Sequence, residues 1–234
     1  MRVAIHQPNY LPWLGYFHKI AMTDVFVFLD DVQYSKGSYT NRVQVLSTAG
    51  PKWLTVPLKV HFGQSIRDIQ LSGPDWQRRH LEALSNYYRC SDAYRVVWPD
   101  VKEMLECAPA DSLSNLNSWL IVEIAKRLQL QCRFLFSSEL DVKSASDNRL
   151  VDIAKWFGGE TIYYSGHGAA NYQDPGKFSS AGIGFEYSTY RPRSYSQSIV
   201  SNRSKRTDFV GGLSIVDAAF NLGWDQTAML LGNA

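Results

Sequence analysis

The strongest structural signal in the sequence lies near its amino terminus, in the stretch Ile5-His6-Gln7-Pro8-Asn9-Tyr10-Leu11-Pro12-Trp13-Leu14-Gly15-Tyr16-Phe17-His18. The apolar run that leads into it predicts a buried strand at 2–7, and the amphipathic residues after its two prolines predict a helix. A second apolar run, at 25–30, predicts the next strand. Strand, polar loop, helix and strand form the opening unit of a parallel α/β sheet. Such sheets bind ligands beyond the carboxyl ends of their strands.

The same alternation returns in the second half of the chain. Apolar runs at 132–137, 161–165 and 184–189 predict three more strands, and the spacing at about 148–157 predicts a helix between the first two. Right-handed crossover connections return such strands parallel to the earlier ones. The sequence therefore predicts the α/β class, with a mainly parallel, Rossmann-like sheet of five strands.

Two insertions are predicted between the halves of this sheet. Apolar segments at 43–46 and 53–60 flank a turn, which indicates a β-hairpin insertion near 36–60. A helical insertion is predicted near 75–130, with Asp75 capping its first helix and His80 at its surface. Because no internal repeat or linker separates these parts, residues 1–234 are expected to form a single composite α/β domain.

Composition excludes several classes of protein. The 234 residues are 45% hydrophobic and 20% charged with a net charge of +2, as in an ordinary globular protein, so no nucleic-acid partner is expected. Cys90, Cys107 and Cys132 are too widely spaced for a disulfide framework and are expected to be buried in a reducing compartment. Polar residues at 7–9 interrupt any signal peptide, and no run approaches the roughly 20 apolar residues of a membrane span. We expect a cytoplasmic protein, and homo-oligomerisation stays open.

Candidate catalytic residues follow the first two predicted strands. His6 titrates near neutrality and can act as a general base or donate to an oxyanion or phosphate; the alternative is a histidine that bonds the loop backbone. Asp30 and Asp31 can accept a proton from an amine or bind a sugar hydroxyl or Mg²⁺; the alternative is turn capping. Neighbouring strand residues point to opposite faces, so only one of these aspartates is expected to enter a given pocket.

Other residues, most of them in loops that follow predicted strands, are expected to contact a substrate or a phosphate. The expected substrate contacts are Gln7, Asn9, Tyr10, Trp13, Tyr16, Asp31, Lys36, Asn41, Arg42, Ser137, Ser165, Gly166, His167 and Tyr172. In the basic segment 201–206, Arg203, Lys205 and Arg206 are expected to hold phosphate, with solvated surface charge as the alternative. The sequence contains no metal-ligand cluster, no P-loop, no dinucleotide fingerprint and no local signature of a nucleophilic triad.

Several of these stretches resemble one known family. The opening string from His6 to Tyr16 resembles the WbqC-like protein family, and so do Asp30-Asp31-Val32-Gln33-Tyr34, Asn41-Arg42, Ser137-Ser138-Glu139-Leu140, Tyr164-Ser165-Gly166, Leu213-Ser214-Ile215-Val216-Asp217 and Asn221-Leu222-Gly223. Members occur in bacterial polysaccharide and O-antigen gene sets, and related sequences occur in small-molecule biosynthesis. The resemblance implies an enzyme of such a pathway that acts on a small substrate.

A weaker resemblance links the chain to the nucleotidylyltransferases and pantothenate synthetase. Those enzymes carry His-x-Gly-His at the start of their first helix, and here Trp13-Leu14-Gly15-Tyr16 keeps the glycine and lacks both histidines. Their late phosphate-binding loop has a counterpart in chain order at 201–206. This resemblance implies a nucleotidyltransferase-like fold and names ATP or a nucleotide sugar as the candidate cofactor or substrate.

Three functional hypotheses follow. The first is transfer of an acyl or aminoacyl group to an amine of a sugar that can be nucleotide-linked, with His6 or Asp30 accepting the proton and Arg42 and 201–206 holding phosphates. The second is nucleotidyl transfer or adenylate-forming ligation. The third is a non-catalytic binding subunit with a degenerate nucleotidyltransferase fold. The sequence names neither donor nor acceptor.

Overall fold

The computed structural model describes residues 1–166, 168, 173–198 and 209–232. These residues form nine strands: β1 (Arg2–His6), β2 (Val25–Phe28), β3 (Arg42–Ser47), β4 (Gly50–Thr55), β5 (Leu58–Lys59), β6 (Gln70–Leu71), β7 (Arg133–Phe136), β8 (Ile162–Ser165) and β9 (Gly184–Tyr187). They also form eight α-helices: α1 (Leu14–Ala21), α2 (Trp76–Tyr88), α3 (Tyr94–Cys107), α4 (Leu113–Arg127), α5 (Ser146–Trp156), α6 (Pro175–Ser180), α7 (Ile215–Leu222) and α8 (Trp224–Met229).

The central sheet contains five strands in the order β7-β2-β1-β8-β9, and all four pairings are parallel. The predicted α/β class, the Rossmann-like sheet and its five strands are therefore confirmed. The chain first builds outward from β1 through β2 to β7 and then resumes on the other side of β1 with β8 and β9. The strand order thus reverses between β1 and β8, and in open α/β sheets the ligand crevice lies at this switch point.

The apolar residues of β1 and β2 alternate between two cores. Ala4, Phe26 and Phe28 pack with helices α1, α3, α4 and α7 on one face of the sheet. Their neighbours in sequence, such as Ile5 and Val27, pack with α5 and α6 on the other face. Because successive side chains of a strand point in opposite directions, a strand covered on both faces must be apolar throughout. This explains why both strands read as continuous hydrophobic runs.

The segment between β2 and β7 leaves this sheet. β3 and β4 form an antiparallel hairpin, while the predicted strand at 53–60 divides at Pro57. Proline cannot donate to a strand ladder, and the chain after it turns to pair β5 with β6. Helices α2–α4 then precede β7. In the described part of the chain, no helix is long and apolar enough to cross a membrane.

Three expectations about the insertion and the cysteines need correction. His80 is buried, not at the surface, and the Tyr10 hydroxyl lies 2.8 Å from its Nδ1. Burial lowers the pKa of His80 to about 4, so the ring is neutral at pH 7. Asp75 precedes α2 as expected, but its side chain makes no capping hydrogen bond. Cys90, in the turn after α2, and Cys107, at the end of α3, are exposed and not buried.

The carboxylate of Asp217 joins the carboxyl-terminal part of the chain to the helical layer. Ser214 caps α7 by accepting a hydrogen bond from the Val216 amide, which places Asp217 in the first turn. The hydroxyls of Tyr88 and Tyr195 each donate to this buried carboxylate over 2.6 Å. Burial raises the pKa of Asp217, although these hydrogen bonds oppose the shift.

Candidate functional site

A cavity of about 620 Å³ opens at the switch point between β1 and β8. Its walls come from the ends of three parallel strands and from the first turns of α1. Several lining residues have polar or aromatic side chains. They are His6 at the end of β1 and Gln7 after it, Trp13, Tyr16 and Lys19 from α1 and its approach, Tyr163 and Ser165 from β8 and Gln173 after it, and Ser188 and Tyr190 after β9. The place and the size are those of a small-molecule site.

His6 is held in one orientation at the end of β1. Its Nδ1 lies 2.9 Å from the Gln7 carbonyl oxygen, and its ring meets the Tyr16 ring edge-on with centroids 4.9 Å apart. A carbonyl oxygen can only accept, so this contact assigns the proton to Nδ1 and leaves the lone pair on Nε2. No group in the described ranges hydrogen-bonds Nε2.

The His6 ring is neutral at physiological pH. Burial lowers its pKa to about 3, and the positive charge of Lys19 acts in the same direction, against the hydrogen bond to Gln7. In the cavity, Nε2 can therefore accept a hydrogen bond or a proton from a ligand.

Lys19 lies beside His6 and was not anticipated from the sequence. Only 7% of it is exposed, and burial lowers the pKa of its ammonium to about 8. Among the residues that the structure describes, none forms an ion pair or hydrogen bond with Nζ. A Cβ built on Gly166 would lie 3.4 Å from Nζ, so the absence of a side chain there leaves room for the ammonium. A buried cation without a counter-ion is costly, which points to an anionic group of the ligand as its partner.

The lysine's position in the helix was the available sequence signal. Lys19 falls between Phe17 and Ile20, both fully buried in α1. A lysine on the apolar stripe of a short helix is unusual. Gly166, which lies next to its ammonium, comes from the other half of the chain.

Other cavity residues differ in whether their polar groups are already satisfied. The Ser165 hydroxyl donates to Gln173 Oε1, and the Gln173 amide donates to the Tyr163 hydroxyl over 3.0 Å. The Tyr190 hydroxyl, by contrast, is buried without a partner among the described residues, and burial raises its pKa to about 12. Tyr190 therefore has an O–H group available to a ligand, while Ser165 serves to hold the wall.

Asp30 and Asp31 lie outside this cavity. The buried Asp30 carboxylate accepts from the Ser138 amide and hydroxyl over 3.1 and 2.8 Å, and Arg149 pairs with Asp31. The Ser137 hydroxyl lies 3.1 Å from Asp30 Oδ1 and 2.6 Å from Asp31 Oδ1. The expectation that the two aspartates point to opposite faces is wrong, because β2 ends at Phe28 and strand alternation stops there. The geometry gives Asp30 and Ser137 a role in joining the ends of β2 and β7.

The remaining sequence candidates are distributed over several places. Asn9 and Tyr10 are buried in the core, where Tyr10 contacts His80. A second cavity is lined by Lys36, Asn41 and Arg42. His167, Tyr172, Arg203, Lys205 and Arg206 lie outside the described residues. Within the described ranges, no group of three or more His, Cys, Asp or Glu side chains could hold a metal ion.

Gly15 allows two aromatic side chains to pack closely against the start of α1. A Cβ on Gly15 would lie 3.1 Å from Trp13 Nε1 and 3.2 Å from the Tyr190 ring, so the glycine allows both side chains to approach. His18 does not replace the missing histidines. Its Nδ1 donates to the Leu231 carbonyl over 2.6 Å, and its Nε2 lies 3.1 Å from the Tyr164 hydroxyl.

Comparison with known proteins agrees with the resemblance of the opening motif. The model of the WbqC-like protein family matches residues 7–229. The chain belongs to the WbqC-like protein family. A curated relative of this WbqC-like protein, the uncharacterized protein Rv1507c of Mycobacterium tuberculosis, is 32% identical over 227 residues, which cover 95% of this chain and 94% of the relative. The family description and the relative's name state no reaction.

Proposed function

We propose that this WbqC-like protein transfers an acyl or aminoacyl group to an amine of a small substrate, such as an amino sugar, in polysaccharide or related biosynthesis. One observation carries the proposal: the ammonium of Lys19 has no described counter-ion and lies in the same cavity as a neutral His6 with a free Nε2. Acyl transfer requires both a base for the amine proton and a donor for the developing oxyanion.

The reaction can be written with these groups. The amine nitrogen attacks the carbonyl carbon of an activated acyl donor, a thioester or acyl phosphate, and the carbon–nitrogen bond forms. His6 Nε2 accepts the proton of the attacking amine and passes it to the leaving group as the bond between that group and the carbonyl carbon breaks. Lys19 and the unpartnered hydroxyl of Tyr190 donate to the oxyanion.

The charge of Lys19 couples these two roles, because it acts on the pKa of His6. Burial and the charge of Lys19 disfavour a proton on His6. An oxyanion beside Lys19 cancels that charge, so the basicity of His6 rises when the tetrahedral intermediate forms. The proton acceptor is thus strengthened at the step that needs it.

The proposal is tested by mixing the purified protein with acyl thioesters and amino sugars, with and without ATP, and measuring N-acylated products by mass spectrometry. We expect product from the parent protein and a rate lower by about 10²–10⁴-fold in His6→Gln. Asp30→Asn is the matched comparison: it is expected to lower the melting temperature while the rate per folded molecule stays the same. If Asp30→Asn lost as much rate as His6→Gln at unchanged stability, Asp30 would be the base in place of His6.

Other products would contradict acyl transfer and identify a rival. Release of pyrophosphate with a nucleotidylated or adenylated product would indicate the nucleotidyltransferase or ligase class, since Lys19 suits a phosphate equally well. No product from any combination, together with tight binding of one component, would indicate a binding subunit.

The pH dependence of the rate shows whether Lys19 acts as a positively charged donor or, in its neutral form, as a base. Because burial lowers the pKa of Lys19 to about 8, the ammonium needed to stabilise an oxyanion is lost as the pH rises through that value. We expect kcat/KM of the parent to fall above pH 8 and that of Lys19→Arg, which keeps its charge, to show no such fall. A parent rate that rises through pH 8 relative to Lys19→Arg would show that Lys19 acts as a base.

A further inference from the structure

A second cavity, of about 1020 Å³, lies between the loop that precedes β3 and the loop that follows β5. One wall carries Tyr34, Lys36 and Arg42, and the other carries Val60 and Phe62. These residues take no part in the first cavity. The second cavity combines positive charge with apolar surface.

The charge in this cavity has no described counter-ion. Arg42 donates from Nη2 to the Gly37 carbonyl, and its Cζ lies 4.3 Å from the centre of the Trp53 ring, which fixes the guanidinium in place. Its Nε is buried with no hydrogen-bond partner in the described part of the chain. Neither Arg42 nor Lys36 pairs with an acidic group there, and the described lining residues include no carboxylate. A fixed arginine and an exposed lysine, both without counter-ions among the described residues, suit an anion with more than one charge.

The opposite wall exposes apolar surface. The Phe62 side chain is fully exposed, and 44% of Val60 is exposed. An aromatic side chain exposed at the edge of a cavity can stack on a flat ring of a ligand. This contact is favourable because it buries apolar surface of both rings. The wall therefore fits a ring attached to the anion.

A line of aromatic contacts joins this cavity to the first. Trp13, which lines the first cavity, has its ring 5.1 Å from that of Tyr39, and the Tyr39 ring is 5.7 Å from that of Trp53. Arg42 then stacks on Trp53 at the edge of the second cavity. The two cavities thus lie at the two ends of one row of side chains.

We propose that the second cavity is a binding site for a ring-bearing organic phosphate, with its phosphates on Lys36 and Arg42 and its ring against Phe62. This site concerns binding alone and does not depend on acyl transfer in the first cavity, so each proposal can fail without the other.

Calorimetric titration with ADP, inorganic pyrophosphate, adenosine and benzoate tests the site. We expect ADP to bind more tightly than pyrophosphate, and both more tightly than adenosine or benzoate. Lys36→Ala and Arg42→Gln should each weaken ADP binding at least tenfold, whereas Phe62→Ala should weaken ADP but leave pyrophosphate unchanged. Lys52→Ala removes an exposed lysine from the same hairpin outside the cavity and serves as the charge control.

Lys19→Met locates the site relative to the first cavity and should leave ADP affinity unchanged. Absence of ADP binding by the parent would overturn the proposal. So would ADP binding that falls in Lys19→Met and persists in the cavity variants, or an equal loss in Lys52→Ala. Tighter binding of benzoate than of pyrophosphate would show that the site prefers a carboxylate to a phosphate, and this result would also overturn the proposal.

Discussion

Lys19→Met is expected to abolish product formation and, at the same time, to stabilise the folded protein. Removal of an oxyanion donor lowers a rate by about 10²–10³-fold. The same change replaces a buried ammonium, which has no described counter-ion, by an apolar chain of similar length. A pKa lowered from 10.5 to about 8 corresponds to a cost on the order of 3 kcal/mol at neutral pH, and the replacement removes this cost. Both effects follow from the cavity geometry around Nζ and from the pKa of about 8 that burial gives this lysine.

The measurements are a urea unfolding curve and the product assay. Lys155→Met is the matched control, because Lys155 is an exposed lysine of α5 outside the cavity, and its replacement should change the free energy of unfolding by less than about 0.5 kcal/mol. A Lys19→Met variant that is both active and less stable would show that Nζ stabilises the fold and does not serve the ligand.

The pH dependence of stability provides a further check on the same residue. Because the pKa of Lys19 is lower in the folded protein, the unfolded chain binds more protons between the lowered value of about 8 and the ordinary value of 10.5. The free energy of unfolding should therefore rise with pH across this window. Relative to the parent, Lys19→Met should lack this component of the rise.

Asp217→Ala is expected to destabilise the folded protein strongly. It removes the acceptor of the hydrogen bonds from Tyr88, Tyr195 and Gln197, so both tyrosine hydroxyls lose the oxygen to which they donate. Each unsatisfied buried donor costs about 1–3 kcal/mol, so the loss should be on the order of 3 kcal/mol. The measurement is the midpoint of urea unfolding, with the slope of the transition held constant.

Asp225→Ala is the control for this experiment, since Asp225 is an exposed carboxylate of the following helix. It should change the free energy of unfolding by less than about 0.5 kcal/mol. Tyr195→Phe should cause a smaller loss than Asp217→Ala, because it removes one donor together with its need for a partner. An Asp217→Ala variant as stable as Asp225→Ala would contradict the role of this carboxylate in holding 191–198 to the core.

The sheet could be predicted because its signal is local. Runs such as 25–30 and 161–165 are apolar on both faces and end in polar residues, and one parallel sheet follows from their alternation with helices. The pairing of β1 with both β2 and β8 then placed His6, Gln7 and Ser165 at one edge, as the sequence implied.

The rest of the site could not be predicted because it depends on contacts between distant parts of the chain. Lys19 becomes a site residue where Gly166, just after β8, approaches its ammonium. Asp30 was expected to react, but Ser138 from the end of β7 satisfies its carboxylate. Arg42 was expected near His6, and it lies in the second cavity because the hairpin carries it away from the sheet. In each case the residue type indicated a binding or reactive group, but its place in the site depends on distant parts of the chain.

The central claim is that Lys19 carries a buried charge beside His6 with no counter-ion among the described residues, and its titration tests this most directly. In protein labelled with ¹³C and ¹⁵N at lysine, the Lys19 ε-methylene and amine signals can be assigned by their absence from Lys19→Met. Their chemical shifts should titrate with a midpoint near pH 8. A midpoint at about 10.4, the ordinary value for a solvated lysine, would show that the ammonium is hydrated or paired and would contradict the account.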